Sequence, residues 1–393
     1  MINKYIFKIS AGVIRYLIPI GNIVLIEEDG TQHYIGNSTG KKIEVRFLKN
    51  ISVLKILLRP RMYIAEEFCL KNIDIDIAQL NAFISTLFEN EATQHRYLNW
   101  LSLYTRRLIY WIGSLLFDSS ARSNIEYHYD IGNDFYASFL DQSRSYSCAI
   151  FDEQHNTLES AQLNKIRKVV LRAGVTGDDK VLEIGCGWGA LARELSKVTS
   201  KPVTALTLSN EQFDHMRQIS IDENLDINCL LEDYCDHAKV SQHVYDRIIS
   251  VGMFEHAGIG RLATFFKNMD SMVTDDGRVF VHTIVRNTAG VTNPWIRKRI
   301  FPGGYIAEHQ ELIKAAESQG LELDSEYIVC ANNYIGTLAE WSNRLKNNFD
   351  TELQKAYGAE TYRAFQFYFA GSQAAFQHQG MYIGQFVFRK TAR

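Results

Sequence analysis

Val181-Leu182-Glu183-Ile184-Gly185-Cys186-Gly187-Trp188-Gly189 is the stretch that decides how this chain folds. Its first four residues are apolar or acidic and read as a buried strand. Three glycines on alternate positions then turn the chain into a helix starting near Ala190. Glycine suits those positions because a Cβ would keep a ligand from lying against the backbone. The pattern is E-x-G-x-G-x-G and differs from the G-x-G-x-x-G of a dinucleotide site. Alone, it also suits a strand-to-helix turn that binds nothing. The acid inside the strand, and a second strand with a polar turn at the right distance, point to a ligand.

Outward from this run, strand and helix alternate. Strands are expected at 181–185, 203–208, 227–231, 246–251 and 278–285, with helices after Ala190, Asn210, Gly260 and Glu308. That alternation predicts a parallel sheet covered on both faces. Two further strand-like runs, 321–330 and 382–388, flank helical material and are expected to close the sheet as a hairpin-like pair. Open α/β sheets bind ligands beyond the carboxyl ends of their strands. The chemistry is therefore expected after Gly185, Leu208, Leu231, Val251 and His282.

At 393 residues the chain exceeds one small domain, and its 46% hydrophobic content is ample for packed cores. Residues 1–95 read as a small α+β domain, with strands at 21–27 and 42–47 and a helix at 77–88. Residues 96–124 read as a helical linker, and 125–393 as the α/β domain. Within the linker, Tyr97, Leu101, Tyr104, Leu108, Trp111 and Leu115 share one helical face beside Arg106 and Arg107. That face suits packing on a domain, or an interfacial membrane helix. A net charge of −3 excludes a strongly basic nucleic-acid binder, so no nucleic-acid partner is expected. Residues 1–125 carry 15 Lys and Arg against 11 Asp and Glu, the remainder 27 against 34, so any anionic surface would meet the N-terminal part. The six cysteines form no C-x-x-C pair; no metal site is expected, and a reducing, cytoplasmic compartment is. The apolar run 11–26, interrupted by Arg15, Pro19 and Asn22, is too short to span a bilayer and has no small-residue cleavage site.

Unusual runs gather at the expected strand ends. They are Thr207-Leu208-Ser209-Asn210-Glu211-Gln212, Asp233-Tyr234, Ser250-Val251-Gly252-Met253-Phe254-Glu255-His256 and His282-Thr283-Ile284. Upstream lie His128-Tyr129-Asp130-Ile131-Gly132-Asn133-Asp134-Phe135 and Tyr146-Ser147-Cys148-Ala149. Downstream lie Phe301-Pro302-Gly303-Gly304, Tyr334, Thr337-Leu338-Ala339-Glu340-Trp341 and Gly384-Gln385-Phe386. The glycine turn looks like the first motif of S-adenosylmethionine-dependent methyltransferases. The whole set, from about residue 125 to the C-terminus, resembles the cyclopropane-fatty-acyl-phospholipid synthase family, including the mycolic acid cyclopropane synthases. The first 90 residues resemble the lipid-binding domain of the longer bacterial enzymes more loosely.

The resemblance implies a Rossmann-like α/β methyltransferase domain with a small N-terminal α+β domain. It implies S-adenosylmethionine as co-substrate, held by Glu183, Gly185, Gly187 and Gly189 at its methionine end. Thr207, Ser209 and Gln212 would lie at its ribose, Asp233 and Tyr234 at its adenine, and Tyr146 and Ser147 would close over it. It implies a bound bicarbonate as general base, caged by Cys148, Glu255, His282, Tyr334 and the backbone of Ile284. His and Tyr donate to a small anion, and Glu accepts or orients its proton. His256 is expected to support the cage from behind. The implied reaction adds a methylene across a cis double bond of a phospholipid acyl chain. The alkene attacks a sulfonium methyl, and the resulting carbocation loses a methyl proton and closes a ring. The implied partner is a bilayer with unsaturated acyl chains, met peripherally at the inner face of the membrane; a homodimer is compatible with the family. Two other readings stay open: methylation without ring closure, and a non-catalytic lipid-binding protein on a methyltransferase scaffold. One departure stands out, Ser372, where many family members carry a cysteine.

Overall fold

The computed structural model describes residues 2–49, 53–94 and 132–391. The helix expected over 97–117 and the run His128–Ile131 lie outside the described residues.

The chain starts with helix α1 (Ile2–Leu17) and a small mixed sheet. Strands β1 (Ile23–Ile26), β2 (Gln32–Ile35), β3 (Ile43–Phe47) and β4 (Ile73–Asp74) lie in the order β2-β1-β3-β4. β1 runs antiparallel to β2 and parallel to β3. Helices α2 (Val53–Leu58), α3 (Pro60–Cys69) and α4 (Ile77–Gln94) complete this part. The expected strands at 21–27 and 42–47 are present as β1 and β3. β2 falls between them in the sequence and forms the edge of the sheet; its mostly open side chains carry no hydrophobic run.

After α5 (Asn133–Ala137) and α6 (Leu158–Ala173) comes the seven-stranded sheet. α6 is well bounded: Thr157 and Ser160 form a reciprocal cap at its start, and Gly174 closes it in the left-handed conformation. β5 (Val181–Ile184) is buried at all four positions. It is followed by α7 (Ala190–Leu195), β6 (Val203–Thr207), α8 (Asn210–Asp222), β7 (Ile227–Leu231), α9 (Tyr234–Val240), β8 (Tyr245–Val251), a 3-10 turn at Phe254–Ala257, α10 (Leu262–Met272) and β9 (Val273–Arg286). α11 (Pro294–Arg299), α12 (His309–Glu317), β10 (Leu321–Val329), α13 (Ala331–Asn348), α14 (Thr351–His378) and β11 (Met381–Lys390) follow. The strand order is β10-β11-β9-β8-β5-β6-β7. β7, β6, β5, β8 and β9 are parallel, and β11 inserts antiparallel between β9 and β10. The closing pair is antiparallel as a hairpin would be, but two long helices, α13 and α14, connect it.

Those two helices tie the N-terminal part to the sheet. Phe68, Leu80 and Phe83 share one apolar core with Trp341, Phe365 and Phe369. Across the same seam Arg363 donates to Phe68 O, Ile73 O and Asp74, with its guanidinium 3.9 Å above the Phe68 ring. Arg299 adds a forked pair to Glu66. Such multiple, half-buried contacts fix orientation more firmly than an exposed ion pair does. No helix among the described residues is long and apolar enough to cross a membrane.

Candidate active site

A cavity of about 140 Å³ opens at the carboxyl ends of β5, β6 and β7. Gly185, Gly187 and Gly189 all have positive φ. A Cβ on Gly187 would point into open space, so this glycine leaves room at the cavity. Gly189 has a different task. It starts α7 in the left-handed conformation, and a Cβ there would come within 1.7 Å of Met216 Sδ. Gly189 therefore lets the turn pack on α8 and does not line the cavity.

Glu183 projects from β5 into this cavity and is buried. One carboxylate oxygen takes the Ala192 backbone N–H; Oε2 is sealed from solvent and has no partner among the described residues. Burial pushes its carboxyl up to about 8, partly countered by Lys165. An unpaired buried carboxylate is costly unless a ligand satisfies it, which fits the cationic methionine end of S-adenosylmethionine. Thr207 and Gln212 line the cavity and bond each other at 2.8 Å. Ser209 sits behind them, fully buried, capping α8 by accepting from the Gln212 N–H. Asp233 caps α9 at 2.7 Å from the Cys235 N–H, and with Tyr234 it lines the cavity. Glu232 lines the cavity as well. Its carboxylate is held by His237, whose other ring nitrogen meets Tyr245 OH at 2.7 Å.

The segment 145–151 forms the cavity's roof and is stapled from two sides. From α6, Gln162 donates to Ser147 O at 2.9 Å, Asn164 to Ile150 O at 2.8 Å, and Lys165 Nζ to Ser147 Oγ at 2.9 Å. From α13, Thr337 and Asn333 accept from the Ala149 and Phe151 N–H groups. Lys165 is buried, and burial pulls its ammonium down to about 8 against the attraction of Asp141, Cys148 and Glu183.

A second cavity of about 450 Å³ begins on the other side of that roof. Its inner end is built by Cys148, Glu255, His282, Ile284 and Tyr334, the five residues expected to form the cage. Burial pushes the Cys148 thiol and the Tyr334 phenol up, so both remain protonated donors. Tyr334 also hydrogen-bonds Tyr368, whose hydroxyl burial pushes up to about 12. Glu255 Oε1 accepts from the Ile284 N–H at 2.7 Å, so that backbone donor orients the glutamate. Glu255 Oε2 is shut off from solvent with no partner among the described residues, and burial raises its carboxyl.

His282 is set by a relay that lay unassigned in the sequence. Arg172 donates to Gln385 Oε1, which turns the Gln385 amide nitrogen toward His282 Nδ1 at 2.9 Å. Nδ1 is therefore the acceptor and Nε2 carries the proton. Burial, with Lys165 and Arg172 adding to it, holds the ring neutral, its pKa pulled down to about 3. Nε2–H is buried and has no partner among the described residues. His256, expected behind the cage, in fact lines both cavities. Its pKa is pulled down to about 4 by desolvation, so it too is neutral. Tyr146, Ser147 and Gly252 likewise line both. Ser372 on α14 lines the larger cavity.

The rest of the larger cavity is mostly apolar and runs into the N-terminal part, past Ile23, Val45, Phe47, Ile64, Phe83 and Phe88. The two cavities thus meet at one place, beside the five residues expected to form the cage.

A seven-stranded sheet with β11 inserted antiparallel, and a glycine turn after β5, defines the Rossmann-like fold of S-adenosylmethionine-dependent methyltransferases. Within that class, residues 118–386 match the family described as mycolic acid cyclopropane synthetase, and the chain belongs to this family. It is 33% identical over 264 residues to the cyclopropane-fatty-acyl-phospholipid synthase of Escherichia coli strain K12, a match covering 67% of this chain and 66% of that enzyme. Among solved structures, the cyclopropane synthase MmaA2 from Mycobacterium tuberculosis is 30% identical with a TM-score of 0.62, covering 68% of this chain and 98% of that one. The mycolic acid cyclopropane synthase CmaA1, complexed with SAH and CTAB, is 28% identical at the same TM-score and coverage.

Proposed function

We propose that this protein transfers a methylene group from S-adenosylmethionine to a cis double bond of an unsaturated phospholipid acyl chain, forming a cyclopropane ring. The observation that carries this reading is the junction of the two cavities at Tyr146, Ser147, Gly252 and His256. A mostly apolar channel of about 450 Å³ suits an acyl chain, with the buried polar groups of Glu255 and His282 at its inner end.

When bound, S-adenosylmethionine supplies an electrophilic methyl group at that junction. Glu183 and the glycine turn hold its amino-acid end, and Tyr146 and Ser147 keep water from the junction. The alkene lies in the channel, where burial removes competing nucleophiles. A cation develops on the chain beside Tyr334, Tyr146 and Phe301, whose ring faces stabilise positive charge. Bicarbonate fits the cage: Glu255 Oε2 and His282 Nε2–H are both buried, without a partner among the described residues, and at its wall. His282 and Tyr334 would donate to it, Cys148, whose thiol donates to Ala149 O at 3.2 Å, would wall it, and Glu255 would orient it, placing a proton acceptor where the methyl proton leaves. The low basicity of His282 and His256, whose pKa values burial pulls down to about 3 and about 4, keeps them from competing for that proton.

Glu255→Gln tests the reading. The amide keeps the size but cannot accept a proton, so turnover is expected to fall about 10²–10⁴-fold with cofactor binding retained. Wild-type turnover is expected to need bicarbonate. Full activity in Glu255→Gln, or indifference to rigorous carbonate removal, would place the base elsewhere.

A further inference from the structure

The apolar channel runs to the protein surface between the ends of α1, α2 and α4. Leu17 and Pro60 are exposed lining residues there, and Arg61 and Glu91 are about one-third exposed and paired with each other. Just outside the lining, Tyr16 is 80% and Leu58 73% exposed, with Val13 and Ile20 also open. Single exposed apolar residues need no account, but a group ringing a channel mouth does.

The two chain segments that carry them are one-sided in charge. Residues 1–26 and 48–65 contain no Asp or Glu, while carrying Lys4, Lys8, Arg15, Lys49, Lys55, Arg59 and Arg61. α1 packs beside α2, so the exposed Arg15, Lys55 and Arg59 belong to adjoining elements. The carboxylate that reaches the mouth from α4, Glu91, is occupied by Arg61. Arg15 is anchored to Tyr34 O at 3.0 Å, placing a second exposed aromatic, Tyr34, next to the group.

We propose that the α1–α2 face docks on a bilayer carrying anionic headgroups, and that the mouth at its centre is where an acyl chain enters the channel. This rests on the lipid activity proposed above and names the surface that serves it. Tyr16, Leu17 and Leu58 enter the acyl boundary while Lys55 and Arg59 meet the headgroups. A mouth flush with the bilayer lets a chain pass to Tyr334 and Glu255 without exposing its methylenes to water. The cations give approach and orientation, and the apolar ring gives retention.

The experiment compares wild type with Tyr16→Glu/Leu58→Glu and with Lys55→Glu/Arg59→Glu. All four side chains are exposed and none lines the channel. Sedimentation is measured with vesicles of dioleoylphosphatidylglycerol and dioleoylphosphatidylcholine in equal parts, and with phosphatidylcholine alone. Both variants are expected to lose anionic-vesicle binding by about ten-fold or more. The charge-reversed variant is also expected to lose the salt dependence seen in wild type. Turnover of the same lipid in non-ionic detergent micelles is expected to persist in both, with turnover on vesicles falling. Unchanged vesicle binding in variants with wild-type thermal unfolding overturns the proposal. So does an equal loss in micelles and vesicles, or a dimer in wild type that the Tyr16→Glu/Leu58→Glu pair dissociates. A wild type that binds anionic vesicles through this face but converts no lipid in either form refutes the activity and not the docking surface.

Discussion

Replacing Gln385 by Glu reverses one hydrogen bond at the centre of the cage. Gln385 is fully buried, accepts a hydrogen bond from Arg172 and donates one to His282 Nδ1. A carboxylate of the same size still accepts from Arg172, so the fold is expected to hold. It cannot donate to Nδ1. The imidazole proton then moves to Nδ1, and Nε2 faces the cage as an acceptor. One buried donor, directed at an anion or at developing charge, is lost. Removing a comparable preorganised donor costs about 2.7–4 kcal/mol, or about 10²–10³ in kcat. KM for S-adenosylmethionine is expected to stay near wild type, because Gln385 and His282 do not line the cofactor cavity. The added carboxylate also raises the imidazole pKa from about 3, by about 1–3 units. Acidification then restores Nε2–H as imidazolium, so activity of Gln385→Glu relative to wild type is expected to rise as pH falls. A residue that only packs gives no such slope. The assay is single-turnover product formation across pH, with ¹⁵N shifts of the His282 ring reporting its tautomer. Wild-type kcat in folded Gln385→Glu, or a proton on Nδ1 in wild type, would refute the relay.

The glycine turn yields a contrast between neighbours. Gly187→Val is expected to abolish cofactor binding by calorimetry at a stability cost of about 1–3 kcal/mol from its positive φ. Gly189→Val is expected to cost more stability in urea than Gly187→Val, because its Cβ meets Met216; equal costs would contradict the separate tasks. His256 carries a pH signature. Its folded pKa of about 4 lies below the ordinary 6.5, so the unfolded chain takes up a proton that the native ring refuses. Its contribution is fully present above pH 6.5 and is lost as pH falls toward 4. At pH 5 this amounts to about 2 kcal/mol. His256→Phe is therefore expected to lose less urea stability than wild type between pH 7.5 and 5, and an identical loss would mean that the ring is protonated in the native state.

The strand-turn-helix at Val181–Gly189 was legible because its pattern is local: a buried strand, then glycines at the turn. The parallel strands followed from the alternation of strand and helix, whereas the cage residues came from the resemblance of the whole motif set to a known family: Cys148 lies in a loop and Tyr334 in a helix, so no strand end points to them. Lys165 was harder, although its signal was present. Leu158, Ala161, Gln162, Lys165 and Val169 share one helical face, so the apolar periodicity of α6 carries Gln162 and Lys165 inward with it. Read singly, a lysine before Ile166 and Arg167 looks like a solvated residue. Gly189 and Ser209 lie behind the cofactor cavity because sequence order shows which loop a residue belongs to and not which side of it faces the ligand. The partnership of Arg172 with Gln385 spans 213 positions and two elements, a distance over which no local pattern speaks. α1 escaped notice because Gly12 and its branched residues blunt helix propensity, while tertiary packing of Phe7 and Ala11 decides the outcome.

The account turns on a methyl carbon of S-adenosylmethionine ending in a ring on a lipid chain. The most direct measurement gives the purified protein methyl-¹³C-labelled S-adenosylmethionine, bicarbonate and dioleoylphosphatidylglycerol vesicles, and follows the lipid by proton and carbon NMR. Loss of the alkene signal, with the label in a methylene whose protons resonate upfield as cyclopropane hydrogens, is the expected result. Label in a methyl group on a branched or still unsaturated chain, or no label in lipid at all, would contradict it.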